Sequence, residues 1–241
     1  MDAGEHHILR EVEDHYWWYR LLRWQVLRQV PAGARVLDAG CGTGGLMAAL
    51  QGSGHDVHGI DISPAAIDHC QERGLSKVQL ANVHSLPFPD ASFDAVISLD
   101  VLYHQGVDEE LALTEMKRVL KPGGRLILNL PAFACLRGSH DRAVCGVKRY
   151  KRCQVHSILA FHSLRSEMIH YWNAWLFFPI LIWRQLSRKI TTRSVSDLRV
   201  PLRGVNGPLF HFGKWDSLLC QTLRIPFGTS LFVVAINPGH E

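Results

Sequence analysis

Val36-Leu-Asp-Ala-Gly-Cys-Gly-Thr-Gly-Gly45 decides the architecture of this chain. Arg35 to Asp38 is short, apolar and β-prone. Glycines follow, and Thr43 to Gln51 has helical spacing before Gly52 and Gly54 end it. A strand, a glycine loop and a helix in that order put free backbone N–H groups at a turn without bulky side chains. A ligand can therefore approach the backbone closely. Gly40, Gly42 and Gly45 also fit the GxGxxG spacing of dinucleotide folds, so the glycines alone do not choose the ligand.

Two acids choose. Asp38 stands two residues before the first glycine, at the mouth of the loop, where a carboxylate repels a pyrophosphate. It favours a cationic guest: the ammonium and sulfonium of S-adenosylmethionine, met directly or through water. Asp61 ends the second strand about 20 residues on, where an acid accepts both ribose hydroxyls. A purely structural turn with solvated acids is the competing explanation, and both acids together with the strand order weigh against it.

Outward from the loop, residues from about Glu5 to Val30 read as a helix with aromatic bulk from Tyr16 to Tyr19, broken at Pro31-Ala-Gly33. His55–Ile60, Lys77–Ala81, Phe93–Leu99 and Arg125–Leu130 read as further strands. Ser63, as N-cap, and Pro64 open one helix, and Asp108–Leu120 is another. Lys121-Pro-Gly-Gly124 reads as a sharp turn. Glu167–Trp172 and Ser230–Ile236 look like two last strands, with helices over Ala174–Lys189 and about Phe210–Leu223. Strands alternating with helices imply βαβ units, an α/β class and a parallel sheet.

Composition sets the bounds. The 241 residues are 47% hydrophobic and 20% charged, an ordinary globular balance. Twenty-six basic against 22 acidic residues leave +4, too mild to imply nucleic acid. Six cysteines form no CxxC pair, so no metal site is expected. The early residues are polar and acidic, unlike a secretory signal, and the expectation is a cytoplasmic protein with reduced thiols. One domain is expected over 1–241: a helical cap (1–30), a cofactor-binding core (31–131), and a substrate-side insert with the last two strands (132–241).

The runs VLDAGCGTGG, GIDIS, LPFPDASFDAVISLDVLYH and LKPGGRLIL resemble the class I, Rossmann-like S-adenosylmethionine-dependent methyltransferases of the common small bacterial type. The resemblance covers about residues 35–130. It implies a seven-stranded, mostly parallel sheet with an antiparallel last strand, helices on both faces and the cofactor at the strands' C-terminal ends. It also implies that Gly40, Gly42 and Gly44, with Cys41 between them, bracket the methionine part and that Asp61 holds the ribose. Ile62 then flanks the adenine, Asn82 and Val83 meet its edge, and Leu99 lies near the sulfonium. Many members have Asp where this chain has Asn82, so that contact is retuned. Tyr16-Trp-Trp-Tyr-Arg20 resembles an aromatic-Arg segment of the group, which makes Arg20 a partner for the methionine carboxylate; a solvated Arg20 on an amphipathic helix is the alternative.

The second half, with Gly138-Ser-His-Asp141 and Arg149-Tyr150, resembles a subgroup with an insert after the fifth strand. Gly146 and Lys148 depart from its pattern, so the acceptor is not inherited. Displacement at sulfonium needs alignment and exclusion of water, and an O or N nucleophile gains from a base. His104, after the fourth strand, and His140 with Asp141 are the candidates, with Tyr103 and Tyr150 as hydrogen-bond partners. With 14 histidines in the chain, a structural role competes for each.

Lys148-Arg-Tyr-Lys-Arg152 is basic, and a solvated helix start explains it better than RNA does, leaving an anionic or hydrophobic small molecule as partner. The apolar run from Trp172, followed by basic residues up to Arg193, reads as a pocket lid or as a membrane-surface contact through 172–193. Methyl transfer to O or N, less readily C, of a small molecule or natural-product intermediate is the leading function, yielding S-adenosylhomocysteine. A cyclase or rearrangement enzyme using the same cofactor is the second reading, and a non-catalytic binding protein the third.

Overall fold

The computed structural model describes residues 10, 12–138, 141, 145–187 and 204–239. Its centre is a seven-stranded sheet of β1 (Arg35–Ala39), β2 (Asp56–Asp61), β3 (Val78–Leu80), β4 (Phe93–Leu99), β5 (Leu120–Pro131), β6 (Arg165–Trp172) and β7 (Ser230–Ile236), in the order β3-β2-β1-β4-β5-β7-β6. β1 pairs in parallel with β2 and β4, β2 with β3, and β4 with β5. β7 lies antiparallel between β5 and β6.

The central strands are apolar without interruption because both faces are covered. Alternate residues go to alternate sides. Val36, Ala95, Ile97, Ile127 and Val234 pack with α1 (Trp17–Leu27) and α2 (Gly45–Gly52). Leu37, Val96, Leu126, Leu128 and Val233 pack with α4 (Glu109–Val119) and α5 (Arg152–Phe161). Between them in sequence is α3 (Pro64–Glu72). Two helices of the second half, α6 (Phe177–Ser187) and α7 (Asn206–Thr222), complete the described elements.

Local chemistry sets most boundaries. Asp108 caps α4 by accepting from the N–H groups of Glu110 and Leu111, with acids in the first turn and Lys117 and Arg118 in the last. Pro64 starts α3, but the Ser63 side chain makes no capping bond; Asp61 Oδ1 instead accepts from the Ser63 N–H at 2.9 Å.

Several expectations are corrected. The N-terminal helix is interrupted at Glu13–Tyr16, where Tyr16 is extended (φ −69°, ψ 128°), because Glu13 and Asp14 turn toward Arg73. Residues 121–124 are an irregularity within β5: pairing jumps from Phe93↔Leu120 to Ala95↔Arg125, and the Gly123 N–H donates to Asn237 O. α5 was not assigned as an element by the sequence reading, α7 begins four residues before Phe210, and the helix from Ala174 opens as a 3-10 turn (Ala174–Leu176).

β6 and β7 close the sheet with no slack at Gly228, where a Cβ would lie 2.5 Å from Trp172 O and 2.9 Å from Trp172 N. Gly228→Ala must move strand backbone and is expected to cost about 1–3 kcal/mol. Gly52→Ala, in open space at the end of α2, is expected to be neutral or stabilising by up to about 1 kcal/mol. Thermal melts of the two variants beside the parent protein check both, and equal melting temperatures would contradict the packing at Gly228.

Candidate functional site

The chain order reverses between β1 and β4, and open α/β sheets hold ligands at such a point beyond the strands' C-terminal ends. A cavity of about 880 Å³ lies there. Its walls come from the loops after β1, β2 and β4, from α1, and on the far side from the turn after β6 and from α6.

The glycine loop is its floor. Gly40, Gly42 and Gly44 have φ of 97°, 52° and 83°, in the left-handed region that costs glycine nothing. The N–H groups of Gly40 and Cys41 both donate to Ile60 O at 2.9 Å, and that of Gly42 donates to Asp61 Oδ2 at 2.9 Å. Asp61 thus ties the loop to the start of α3, each of its oxygens retaining a second lone pair toward the cavity. A Cβ on Gly40 would sit 2.3 Å from Val101 Cγ2, so that position admits no side chain.

Glu13 and Asp14 lock the loop from the N-terminal side. Thr43 Oγ1 donates to Glu13, Arg73 pairs with both acids, and Arg73 Nε donates to Thr43 O at 2.7 Å. A Cβ on Gly45 would lie 2.5 Å from Glu13 Oε2, so this carboxylate rests against the first turn of α2. Glu13 thus places a second acidic group at the edge of the glycine loop, held there by Thr43 and Arg73.

The site is therefore acidic. Asp38 is 2% exposed. Burial, then the neighbouring Asp61 and Glu13, push its carboxyl up to about 8. Asp100, held by Asn129 Nδ2 at 2.9 Å, is pushed up to about 7 by burial, and its φ of 58° is strained for a non-glycine residue. Burial lowers the pKa of His104, favouring a neutral imidazole.

Asp38, Gly40, Cys41, Gly42, Asp61, Ile62, Asn82, Val83, Leu99, His104 and Asp141 all line this cavity. Asp141 is fixed by Arg149, whose Nε and Nη2 donate to its two oxygens at 2.7 and 3.1 Å. Three expected residues are placed elsewhere. Arg20 lies over the Phe210 ring, 4.6 Å from its centroid, while Arg23 reaches the cavity wall. Gly44 faces Leu75 and Cys70, where a Cβ would come within 2.6 Å. The Tyr150 hydroxyl is buried and donates to Glu109 Oε2 at 2.6 Å. His140 lies outside the described residues. Among the described residues no cluster of three metal-ligating side chains occurs.

Sequence reasoning missed Glu13, Arg23, Asp100 and Asn173, which also line the cavity. Asp100 had a signal, an acid directly after an apolar strand. Asn173 had none: it is fully buried, left-handed (φ 55°), and neither its Oδ1 nor its Nδ2 has a partner among the described residues.

Residues 37–128 match a family described as a methyltransferase domain. An O-methyltransferase of Aspergillus nomiae is 42% identical over 106 residues, 40% of this chain and 46% of that protein. A 24-methylenesterol C-methyltransferase of Oryza sativa subsp. japonica is 34% identical over 207 residues, 74% of this chain and 56% of that protein. The chain spans about half the length of these relatives. A Haloferax volcanii protein solved in complex with a methyltransferase activator superposes with a TM-score of 0.63 at 17% identity, over 98% of this chain and 95% of that one. That likeness speaks for the fold.

Asp38 makes the site pH-sensitive. In the folded chain burial and the neighbouring acids push its carboxyl up to about 8, while unfolded it returns to the ordinary carboxylate value of 3.8. The folded state binds more protons between those values, so this group's contribution to stability falls as pH rises from about 4 to about 8. Asp38→Asn is expected to raise the melting temperature relative to the parent protein, with a difference that widens over that interval. A pH-independent difference would contradict the raised carboxyl.

Proposed function

We propose that this chain, whose residues 37–128 match a methyltransferase domain family, is a class I S-adenosylmethionine-dependent methyltransferase acting on a small, largely apolar acceptor. The observation that carries this reading is Asp38, buried on the cavity floor with Asp61 and Glu13 close by, where a cationic guest favours loss of its proton. Such a floor repels a diphosphate and accepts a cation.

The residues present fit the cofactor. Asp38 faces its positive charge, and Asp61 offers free lone pairs to ribose hydroxyls while holding the loop. Ile62 and Val83 supply apolar walls for a purine. Asn82 Oδ1, which accepts from the His84 N–H at 3.0 Å, keeps a second lone pair for an amino group. Arg23, on the cavity wall and held by Asp14, is the guanidinium placed to meet the methionine carboxylate, since Arg20 lies over Phe210. When bound, S-adenosylmethionine supplies an activated methyl group on sulfonium, so no metal is needed to prepare the leaving group.

The protein's own tasks are then alignment, exclusion of water and proton handling. Leu136, Leu176, Ile180 and Trp183 make the far wall apolar. Asn173 offers an amide NH₂ and a carbonyl oxygen there, both without partners among the described residues, which suits an acceptor carrying a polar group on a hydrocarbon body. His104, neutral in the cavity, is the base for an O or N nucleophile.

Calorimetric titration tests the cofactor. The parent protein is expected to bind S-adenosylmethionine with proton release, since Asp38 must ionise to face the cation, and with affinity that rises toward pH 8. Asp38→Asn is expected to bind about ten- to a hundredfold more weakly, the range of a hydrogen bond to a charged group. Tight NAD binding without S-adenosylmethionine binding would overturn the reading. In turnover mixtures, accumulation of S-adenosylhomocysteine separates methyl transfer from cyclisation on the same scaffold. His104→Ala is expected to lower kcat by about 10²–10⁴-fold, with cofactor affinity unchanged.

A further inference from the structure

Helix α7 is amphipathic in the inverted sense. Toward the protein it buries Gly213, Asp216, Ser217 and Cys220. Away from it, Phe212, Trp215 and Leu219, with Leu223 just past its end, are 53%, 70%, 48% and 69% exposed. Their spacing of three, four and four residues makes one stripe. The polar inner face has a packing reason. A Cβ on Gly213 would lie 2.6 Å from Leu21 Cδ2, Asp216 accepts from the N–H groups of Ala174 and Trp175, and Ser217 Oγ donates to Gln25 Oε1 at 2.8 Å. No such reason applies to the apolar outer face.

Helix α6 behaves alike. Phe178, Ile182, Trp183 and Leu186 are 53–64% exposed. The two faces are joined through Trp175, in the turn that leads into α6, whose ring meets that of Phe212 at 5.2 Å. Charge identifies what covers them. From Phe178 to Arg224 the sequence holds eight lysines and arginines, no glutamate and two aspartates; five of the basic residues and Asp197 lie outside the described residues, and Asp216 is buried. The remainder of the chain has 18 basic and 20 acidic residues, so the whole positive balance belongs to this stretch. A second copy would set this positive charge against itself.

We propose that α6 and α7 form one face that seats the protein on an anionic lipid bilayer, lying in the interfacial plane. Exposed tryptophans and leucines enter the headgroup boundary, and the positive balance of this stretch of sequence favours anionic headgroups. Among the described residues no helix is long and apolar enough to cross a bilayer, which agrees with a surface position. This goes beyond the methyl-transfer reading and does not depend on it.

The test is co-sedimentation of the full chain with vesicles of phosphatidylcholine alone or mixed with phosphatidylglycerol, at low and high salt. The expected result is at least tenfold stronger partitioning onto the anionic vesicles, weakened by salt. Trp215→Glu with Leu219→Glu should abolish it at an unchanged melting temperature; if that variant melts early, Ile182→Glu with Leu186→Glu takes its place. Absence of binding, equal binding to both vesicles, or undiminished binding of the folded variants would overturn the proposal. So would light scattering that shows a dimer lost in the variants, because the face would then join two copies.

Discussion

A single buried carboxylate organises this molecule's chemistry. Asp38 lies near the C-terminal end of β1, where the chain order of the sheet reverses, and desolvation raises its proton affinity. The surrounding structure sharpens the effect: Glu13 and Asp61 add negative charge nearby, Asp61 fastens the loop, and the Arg73 guanidinium is engaged by Glu13, Asp14 and Thr43 O. The result is a rigid backbone cradle with negative walls, held ready before any guest arrives. Such preorganisation avoids ordering costs at the moment of binding.

The sheet and this cradle were legible in sequence because local rules set them. Apolar runs of four to seven residues, glycines in left-handed geometry and acids at strand ends are each short-range signals, and their order along the chain gave all seven strands. The misplacements have equally local causes. Tyr16 breaks the first helix because Glu13 and Asp14 find a partner nearly 60 residues away in Arg73. Such a pairing has no signature in the window that predicts a helix. Arg20 was placed by likeness to an aromatic-Arg segment, yet the register of α1 turns Arg23 to the cavity and Arg20 onto Phe210 of a helix distant in sequence.

The acceptor side was less legible because tertiary packing there opposes the usual pattern. Periodicity assumes that the apolar face of a helix turns inward, and α7 does the opposite because α1 approaches too closely for anything larger than Gly213. Asn173 is informative only through its missing partners, which no sequence displays. Tyr150 looks like a catalytic phenol beside Arg149, but packing turns its hydroxyl to Glu109.

Glu13 carries a consequence for how the loop is maintained. It precedes α1 in the chain, yet together with Asp14 it holds Arg73 and Thr43, so a segment outside the sheet braces the loop that the sheet presents. Changes in that arm can slacken the cradle while every strand keeps its register.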